Sequence, residues 1–318
     1  MPVVATPAAP ALAGATAPAG SLASGLFRAA RPKQWVKNVL VLAAPASAGE
    51  LWHGHVAGKT AIAVVAFVLA SSGTYLVNDA ADVEADRLHP AKRLRPIASG
   101  LVPVATARVV GIVLMAIAVA AGGLLTDWRL AVVLGSYVVL QLAYSTWLKH
   151  VAVVELVCVA LGFVLRAIAG GAATGIVLSE WFVIVASFGS LFIVLGKRYA
   201  EATNLEDGGV TARRILAEYP VTWLRQMRDT CVAVTLLAYC LFAFERAAVP
   251  GPHQSHRALT LPWYELSIIP VTVGLLRYAL QVERGHGGAP EDLVLRDRVL
   301  LTAGFVWAVL FVLGVVRA

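Results

Sequence analysis

The chain has 318 residues, of which 59% are hydrophobic and 14% charged, and its mean hydropathy is +0.76. Soluble proteins usually carry about a quarter charged residues. Here the apolar residues come in blocks of roughly 17 to 22, long enough to cross ~30 Å of hydrocarbon as helices. This pattern excludes a soluble globular enzyme, a disulfide scaffold and a disordered chain. It predicts an all-α, polytopic membrane protein.

The net charge is +7. In a soluble chain this surplus would suggest nucleic acid binding, but in a membrane protein the location of the charges decides, and we predict no nucleic-acid partner. The cysteines lie inside apolar blocks without metal-ligand spacing. They are predicted to be buried side chains and not a metal site or a disulfide: Cys158, Cys231 and Cys240.

Residues 1–27 are rich in Ala, Pro, Gly and Ser and carry no charged side chain. They lack the basic start of a secretory signal and are predicted to form a flexible tail, followed by one integral-membrane domain over residues 28–318. Because hydrocarbon cannot satisfy free backbone groups, each span must be helical. Nine spans are predicted, at 36–52, 60–78, 104–125, 130–148, 151–172, 181–199, 228–245, 263–282 and 299–316.

Lys and Arg residues are distributed unequally between the two sides of this bundle. On the N-terminal side we count 19, against five on the other side. The positive-inside rule therefore places the N-terminus and the loops that follow even-numbered spans in the cytoplasm.

An acidic run lies at the cytoplasmic end of the second predicted span. Asn78, Asp82 and Asp86 recur every four residues, and Asp79 falls on the same side of a helix. Repulsion between these carboxylates would be relieved by Mg²⁺, which takes one or two carboxylates plus substrate phosphate oxygens. The spacing predicts Asn78, Asp82 and Asp86 as metal ligands, and Asp79, Asp82 and Asp86 as catalytic residues. Glu84 falls opposite and is predicted to be solvated; the alternative is that the whole run is a solvated helix end.

A basic loop follows directly, and it contains Lys92, Arg93 and Arg95 between two prolines. The simpler interpretation is a loop that is basic because it is cytoplasmic. Cations beside a carboxylate stripe also suit a phosphate-bearing ligand that bridges both. We therefore predict these three residues, together with Asn78, to bind substrate.

Two further cationic groups lie at the same membrane boundary. Lys33 and Lys37 flank Trp35 at the start of the first span, where anchoring at the interface is the alternative to capture of a lipid phosphate. Tyr144 and Lys149 end the fourth span and offer another pair of donors. All four donors are predicted to bind substrate.

The end of the sixth span carries Lys197, Arg198 and Glu201, and Arg166 lies inside the fifth span, eleven residues after Glu155. An ion pair between Lys197 and Glu201 is the simplest interpretation of their spacing. A charge inside the membrane is costly and usually faces a polar cavity, so Arg166 either bonds the backbone or lines a pocket. We predict substrate contacts for Lys197, Arg198, Glu201 and Arg166.

These residues resemble the UbiA superfamily of intramembrane prenyltransferases, whose signature is Asn-Asp-x-x-Asp-x-x-x-Asp. Asn78, Asp79, Asp82 and Asp86 match every fixed position. The resemblance implies a bundle of about nine transmembrane helices in a bacterial plasma membrane, a cytoplasmic active site and a Mg²⁺ cofactor. Further segments are similar to the branch of the superfamily that transfers phosphoribosyl groups for cell-wall arabinan synthesis: residues 31–38, 89–100 and 162–170.

That branch implies transfer of 5-phosphoribosyl from phosphoribosyl pyrophosphate to a polyprenyl phosphate such as decaprenyl phosphate, with release of pyrophosphate. Members with aromatic acceptors carry a second Asp-x-x-x-Asp motif, where this chain has Lys197, Arg198 and Glu201. One acidic and one basic set suit a metal-bound diphosphate and a separate phosphate. On this basis Lys197 and Arg198 would hold the 5-phosphate, and Lys33 and Lys37 the lipid phosphate.

Two alternatives remain at this point. One is a prenyltransferase that moves a prenyl group from its diphosphate to an aromatic acceptor. The absence of a second acidic motif argues against this alternative. The other is a transporter, whose charges would be expected near the bilayer midplane, whereas these gather at one boundary. The sequence leaves open whether the chain forms a homo-oligomer.

Overall fold

The structure is a computed structural model that describes residues 20–206, 214–248 and 261–317. Every regular element within these ranges is helical, and eight helices are long and apolar enough to cross a membrane, which confirms the predicted multi-pass bundle. They are α1 (Gly54–Ala81), α2 (Val104–Leu125), α3 (Trp128–Thr146), α4 (Val154–Thr174), α5 (Glu180–Glu206), α6 (Val221–Ala248), α7 (Ile268–Glu283, which forms one span with Trp263–Leu266) and α8 (Arg298–Arg317).

The first predicted span, residues 36–52, does not form one α-helix. The segment Pro32–Leu42 is a 3₁₀ helix that continues into the short α-helix Ala43–Ser47. Pro45 lacks a backbone N–H and disfavours a long, regular α-helix through this segment. At rises of about 2.0 and 1.5 Å per residue, the two pieces still cover roughly 30 Å, the thickness of the hydrocarbon core.

Regular structure begins before the predicted end of the tail. Ser21 caps the helix Leu22–Ala29 by accepting a hydrogen bond from a backbone N–H of its first turn, and Gly25 of this helix is buried. Residues 22–27 are therefore helical, and their assignment to a flexible tail is wrong; residues 1–19 of that prediction lie outside the described ranges. The other short elements are Val83–Leu88, Lys92–Leu94, Leu148–His150, Arg214–Glu218, His286–Gly288 and Pro290–Arg296.

Helices α1 and α2 approach each other at a pair of glycines. A Cβ atom on Gly73 would lie 2.6 Å from the carbonyl oxygen of Gly111, and a Cβ on Gly111 would lie 2.8 Å from that of Gly73. Small residues commonly let transmembrane helices pack backbone to backbone. The contact holds α1, which carries the acidic run, in place.

Gly73→Ala is expected to destabilise the bundle by about 1–3 kcal/mol, because the added methyl group must push the two backbones apart. Thermal unfolding of the purified protein in detergent measures the effect. The matched control is Gly58→Ala on the same helix, where nothing lies within 4 Å of the new Cβ. An equal loss of stability in both variants would contradict the tight contact.

Separate apolar cores hold the two halves of the bundle. In the first half, the rings of Phe67 and Tyr137 lie 5.3 Å apart between α1 and α3. In the second, the rings of Phe192 and Tyr278 lie 5.3 Å apart, and Leu224 packs into the same core. Large apolar side chains also remain exposed on the outside of the bundle, as expected of helices that face lipid.

Asp297 fixes the start of α8. It accepts hydrogen bonds from the backbone N–H groups of Val299 and Leu300, at 3.0 Å each, and from Gln281 Nε2 at 2.5 Å. The Arg277 guanidinium donates to the same carboxylate at 2.9 Å. The hydrogen bond from Arg277, with those from Leu300 and Gln281, holds the pKa of Asp297 well below its usual value.

The stability of the fold is therefore expected to depend on pH through Asp297. Because its folded-state pKa lies below the unfolded value of about 3.9, ionised Asp297 stabilises the fold above about pH 4, and this stabilisation is lost as the pH falls below that value. At about pH 7 the wild type should melt at a higher temperature than Asp297→Asn. This difference in melting temperature should shrink below about pH 4. A margin that does not change with pH would contradict the assignment.

Candidate active site

The predicted carboxylate stripe forms where α1 ends. The backbone N–H of Asp82 donates to the carbonyl oxygen of Asn78, and that of Asp86 donates to Asp82, both at 2.9 Å. These bonds connect α1 to the short helix Val83–Leu88 through Asp82, whose backbone is not helical. Asn78, Asp82 and Asp86 thus lie close together at the end of α1, and a shared metal site for them stays a prediction.

Two members of the stripe are buried and paired with arginines. Asp79 and Asp86 are each 3% exposed. Arg95 Nη1 joins them, at 3.2 Å from Asp79 Oδ1 and 2.7 Å from Asp86 Oδ2. Arg31 Nη2 lies 2.5 Å from Asp79 Oδ1. Buried carboxylates need such partners, so Arg95 makes the basic loop part of the site.

Asp82 is the accessible member of the stripe. Its side chain is 34% exposed, and its Oδ1 lies 3.2 Å from Lys149 Nζ, which extends from the turn after α3. Glu84, in contrast, is 81% exposed and pairs with Arg87 at 3.0 Å. The expectation that Glu84 is a solvated neighbour of the stripe is thereby met.

Three of the predicted substrate-binding residues lie at the surface near this site. Lys33, Lys92 and Arg93 have exposed side chains, and Lys92 and Arg93 belong to the short 3₁₀ helix Lys92–Leu94. Their position allows contact with a charged ligand as it approaches from solvent. Their roles stay predictions.

Arg198 is 4% exposed and lies between two carboxylates. Its Nε and Nη2 donate to the two oxygens of Glu155 at 2.8 Å each, and its Nη1 donates to Glu201 at 2.7 Å. The pair with Glu155, which is itself 1% exposed, connects α4 with α5. Lys197 Nζ lies 4.0 Å from Glu201, and its side chain is 44% exposed. Lys197 is therefore more open to a ligand than Arg198, three of whose five N–H donors bind carboxylates.

A polar cavity of about 110 Å³ lies beside the stripe. Its wall includes Tyr75, one helical turn before Asp79 on α1, and the Arg31 guanidinium lies 4.7 Å from the centre of the Tyr75 ring. Since Arg31 also pairs with Asp79, it links a wall residue of the cavity to the stripe. The polar side chains of the wall are Lys37, Tyr75, Tyr137, Gln141, Tyr144 and Arg166. Lys37, Tyr144 and Arg166 were predicted from the sequence.

Sequence reasoning missed several residues of the site. Tyr75 stands one turn before Asp79, and Tyr137 and Gln141 stand two turns and one turn before Tyr144, so helical spacing from residues already singled out could have found them. Glu291 gives no such signal, because it is one of several charged residues in the last loop.

Glu291 brings the helix Pro290–Arg296 to the site. Its Oε1 lies 3.8 Å from Lys37 Nζ. Burial raises the pKa of Glu291, but its own backbone N–H, Lys37 and Lys197 together outweigh this and hold the pKa below its usual value. Its carboxylate therefore stands close to two lysines that were predicted to bind phosphates.

The donors of the stripe suit Mg²⁺ by their chemistry. Asp82, Asp86 and the amide oxygen of Asn78 are hard oxygen ligands. Within the described ranges, no three Asp, Glu, His or Cys side chains converge as a complete metal cage. Mg²⁺ usually binds one or two carboxylates and completes its shell with water and substrate phosphates, so a stripe of this kind fits it.

The fold and the site define a multi-pass helical membrane protein whose carboxylates and basic side chains meet at one end of the bundle. The chain belongs to the UbiA prenyltransferase family, whose sequence profile matches residues 39–295. This confirms the resemblance found in the acidic motif.

Named relatives share much more of the sequence than the acidic motif. The decaprenyl-phosphate phosphoribosyltransferase of Mycobacterium tuberculosis is 46% identical over 296 residues, which cover 92% of this chain and 94% of that protein. The protein of the same name from Corynebacterium glutamicum is 44% identical over 301 residues, or 94% of this chain and 89% of that one.

Solved structures show the same fold at much lower identity. A UbiA homologue from Archaeoglobus fulgidus bound to DMAPP and Mg²⁺ superposes with a TM-score of 0.67 at 15% identity, covering 92% of this chain and 99% of that one. The same homologue bound to GPP and Mg²⁺ gives 0.66, also at 15% identity, and covers 92% of this chain and 100% of that one. At this identity the likeness establishes the fold alone.

Proposed function

We propose that this chain transfers the 5-phosphoribosyl group of phosphoribosyl pyrophosphate to decaprenyl phosphate or a similar polyprenyl phosphate and releases pyrophosphate. The observation that carries the proposal is the 44–46% identity, over more than nine-tenths of the chain, to proteins named decaprenyl-phosphate phosphoribosyltransferase. The product would serve cell-wall arabinan synthesis.

The carboxylate stripe is the proposed site for the pyrophosphate of the donor. Asn78, Asp82 and Asp86 would hold Mg²⁺, and the metal when bound would supply positive charge to the leaving group. Arg95 and Arg31 keep the buried members Asp79 and Asp86 in position. Positive charges fixed in advance of the reaction, those of the two guanidinium groups and of the metal when bound, would favour departure of an anion.

The acceptor needs no general base. In the reaction the bond between C1 of the ribose and the pyrophosphate oxygen breaks, and its electron pair leaves with pyrophosphate. An oxygen of the lipid phosphate forms the new bond to C1. Since a phosphate monoester is largely ionised near neutral pH, the cationic side chains have only to hold it in line, and positioning would supply most of the acceleration.

Different basic residues would contact the 5-phosphate and attract the charged donor. Lys197 is the proposed contact for the 5-phosphate, with Glu201 beside it and Arg198 as a positioning residue that ties Glu201 to α4. Lys149 would shift from Asp82 towards the ligand. Lys33, Lys92 and Arg93 would attract the charged donor to the site.

We further propose that the site faces the cytoplasm of a bacterial plasma membrane. The 19-to-5 distribution of Lys and Arg supports this orientation, because basic loops remain on the cytoplasmic side. Phosphoribosyl pyrophosphate would then enter directly from solvent, and the polyprenyl chain would stay in the bilayer.

An assay with two pairs of substrates tests the proposal. The purified protein in lipid nanodiscs with Mg²⁺ receives either ribose-labelled phosphoribosyl pyrophosphate with decaprenyl phosphate, or a labelled prenyl diphosphate with 4-hydroxybenzoate. We expect a labelled lipid product from the first pair, and none when EDTA is added. Product from the second pair alone would overturn the proposal and support prenyl transfer, which at present rests on the shared fold.

A further inference from the structure

Arg166 is a buried cation with neutral partners. It lies inside α4 and is 5% exposed. Its Nε donates to Asn38 Oδ1 at 2.9 Å, its Nη1 to the carbonyl oxygen of Gly162 at 2.6 Å, and its Nη2 to the Tyr137 hydroxyl at 2.8 Å. The guanidinium also lies 4.7 Å from the centre of the Tyr137 ring. These groups orient the guanidinium, but they leave its full positive charge in place.

Other buried arginines of the bundle are neutralised by carboxylates. Arg198 pairs with Glu155 at 2.8 Å, and Arg228 pairs with Glu283 at 2.6 Å. Among the described residues, no Asp or Glu forms an ion pair with Arg166. A charge inside the membrane without a counter-charge is costly, so its retention indicates an anion that comes from outside the chain.

The cavity beside Arg166 has the chemistry of an anion site. Lys37 adds a second cation to its wall, and the tyrosine hydroxyls and the Gln141 amide offer hydrogen-bond donors. No carboxylate among the described residues lines it; Glu291 contacts Lys37 from outside the wall, at 3.8 Å. The amide nitrogen of Asn38, which is 1% exposed, has no hydrogen-bond partner among the described residues. About 110 Å³ is ample for a small oxyanion, since one water occupies roughly 30 Å³ in the liquid.

We propose that this cavity binds the phosphate monoester of the lipid acceptor, with Arg166 and Lys37 as its counter-charges. The proposal rests on the proposed phosphoribosyl transfer and adds the location of the acceptor. Tyr75 places the cavity one turn, or roughly 6 Å, deeper in the bundle than Asp79. A phosphate on a membrane-embedded chain reaches this depth from the bilayer, whereas the water-soluble donor meets the stripe first. Arg31 contacts both Asp79 and the Tyr75 ring. The donor at the stripe and the lipid phosphate in the cavity would therefore meet beside Arg31.

Binding without turnover tests the proposal. The purified protein in nanodiscs, with EDTA and without donor, is titrated with farnesyl phosphate, farnesol and ribose 5-phosphate, and thermal stabilisation and affinity are measured. We expect farnesyl phosphate to bind and the other two to have no effect. Arg166→Gln and Lys37→Gln should each weaken farnesyl phosphate binding by roughly tenfold or more. Glu84→Gln, which lies outside the site, should bind like the wild type.

Three results would overturn the proposal. Binding of ribose 5-phosphate in place of farnesyl phosphate would assign the cavity to the donor. Equal binding of farnesol would show that the chain and not the phosphate is recognised. Unchanged binding in both variants would place the phosphate elsewhere. If Arg166→Gln does not fold, the Lys37→Gln variant decides alone, because the Lys37 side chain is 29% exposed and less critical for folding. Because no transfer is measured, these outcomes stay distinct from a failure of the proposed reaction.

Discussion

Asp82→Asn is expected to lower turnover by about 10²- to 10³-fold and to leave the fold intact. Asp82 is the accessible carboxylate of the stripe, with a side chain 34% exposed and bound by Lys149 alone among the described ion pairs. Loss of its charge removes a ligand for Mg²⁺, and with it the positive charge that would stabilise the leaving pyrophosphate. Initial rates at saturating substrate measure the effect, and thermal unfolding in detergent checks the fold.

The matched control for this variant is Glu84→Gln. It removes the same charge two residues away, from a side chain that is 81% exposed and points to solvent. Its rate should stay within about twofold of the wild type, because exposed ion pairs contribute little. An equal loss of turnover in both variants would show that the overall negative charge of the helix end matters, and not a specific site at Asp82.

Arg198→Met is expected to destabilise the protein by about 3–5 kcal/mol. The substitution leaves Glu155, at 1% exposure, as an uncompensated charge between α4 and α5. Denaturant or thermal unfolding in detergent measures the loss. Arg225→Met is the matched control, because Arg225 is 54% exposed and its partner Glu283 keeps Arg228.

The double variant Glu155→Leu/Arg198→Met separates the two roles that Arg198 can have. If Arg198 acts by neutralising Glu155, removal of both charges should restore most of the stability. If instead Arg198→Met is as stable as the wild type and binds donor weakly, Arg198 contacts the 5-phosphate directly, and the positioning role is wrong.

The membrane helices could be predicted from the sequence because the bilayer imposes one simple rule. A span needs about 20 apolar residues in a helix, and eight of the nine predicted spans correspond to such helices. The exception, residues 36–52, has the right composition, but Pro45 disfavours a long α-helix, and the segment forms a 3₁₀ helix followed by a short α-helix. Hydropathy reports burial in lipid and not the type of helix.

The closeness of the acidic residues could also be predicted, since they lie within nine consecutive positions of the chain. Pairing across the bundle could not. Glu155 and Arg198 are 43 residues apart in the chain, and a single sequence does not show that α4 meets α5 at these positions. The same holds for Glu291, which reaches Lys37 only through the packing of the last loop. Local patterns therefore single out candidate residues of both charges, and long-range packing determines which of them meet.

The transfer of two labels from one donor molecule tests the central claim most directly. The protein in nanodiscs with Mg²⁺ and decaprenyl phosphate receives phosphoribosyl pyrophosphate that carries ¹⁴C in the ribose and ³²P in the terminal phosphate. We expect ¹⁴C in the lipid fraction and an equal amount of ³²P in the aqueous phase as pyrophosphate, with both lost on addition of EDTA. Entry of ³²P into the lipid, or the absence of ¹⁴C from it with folded protein, would contradict phosphoribosyl transfer.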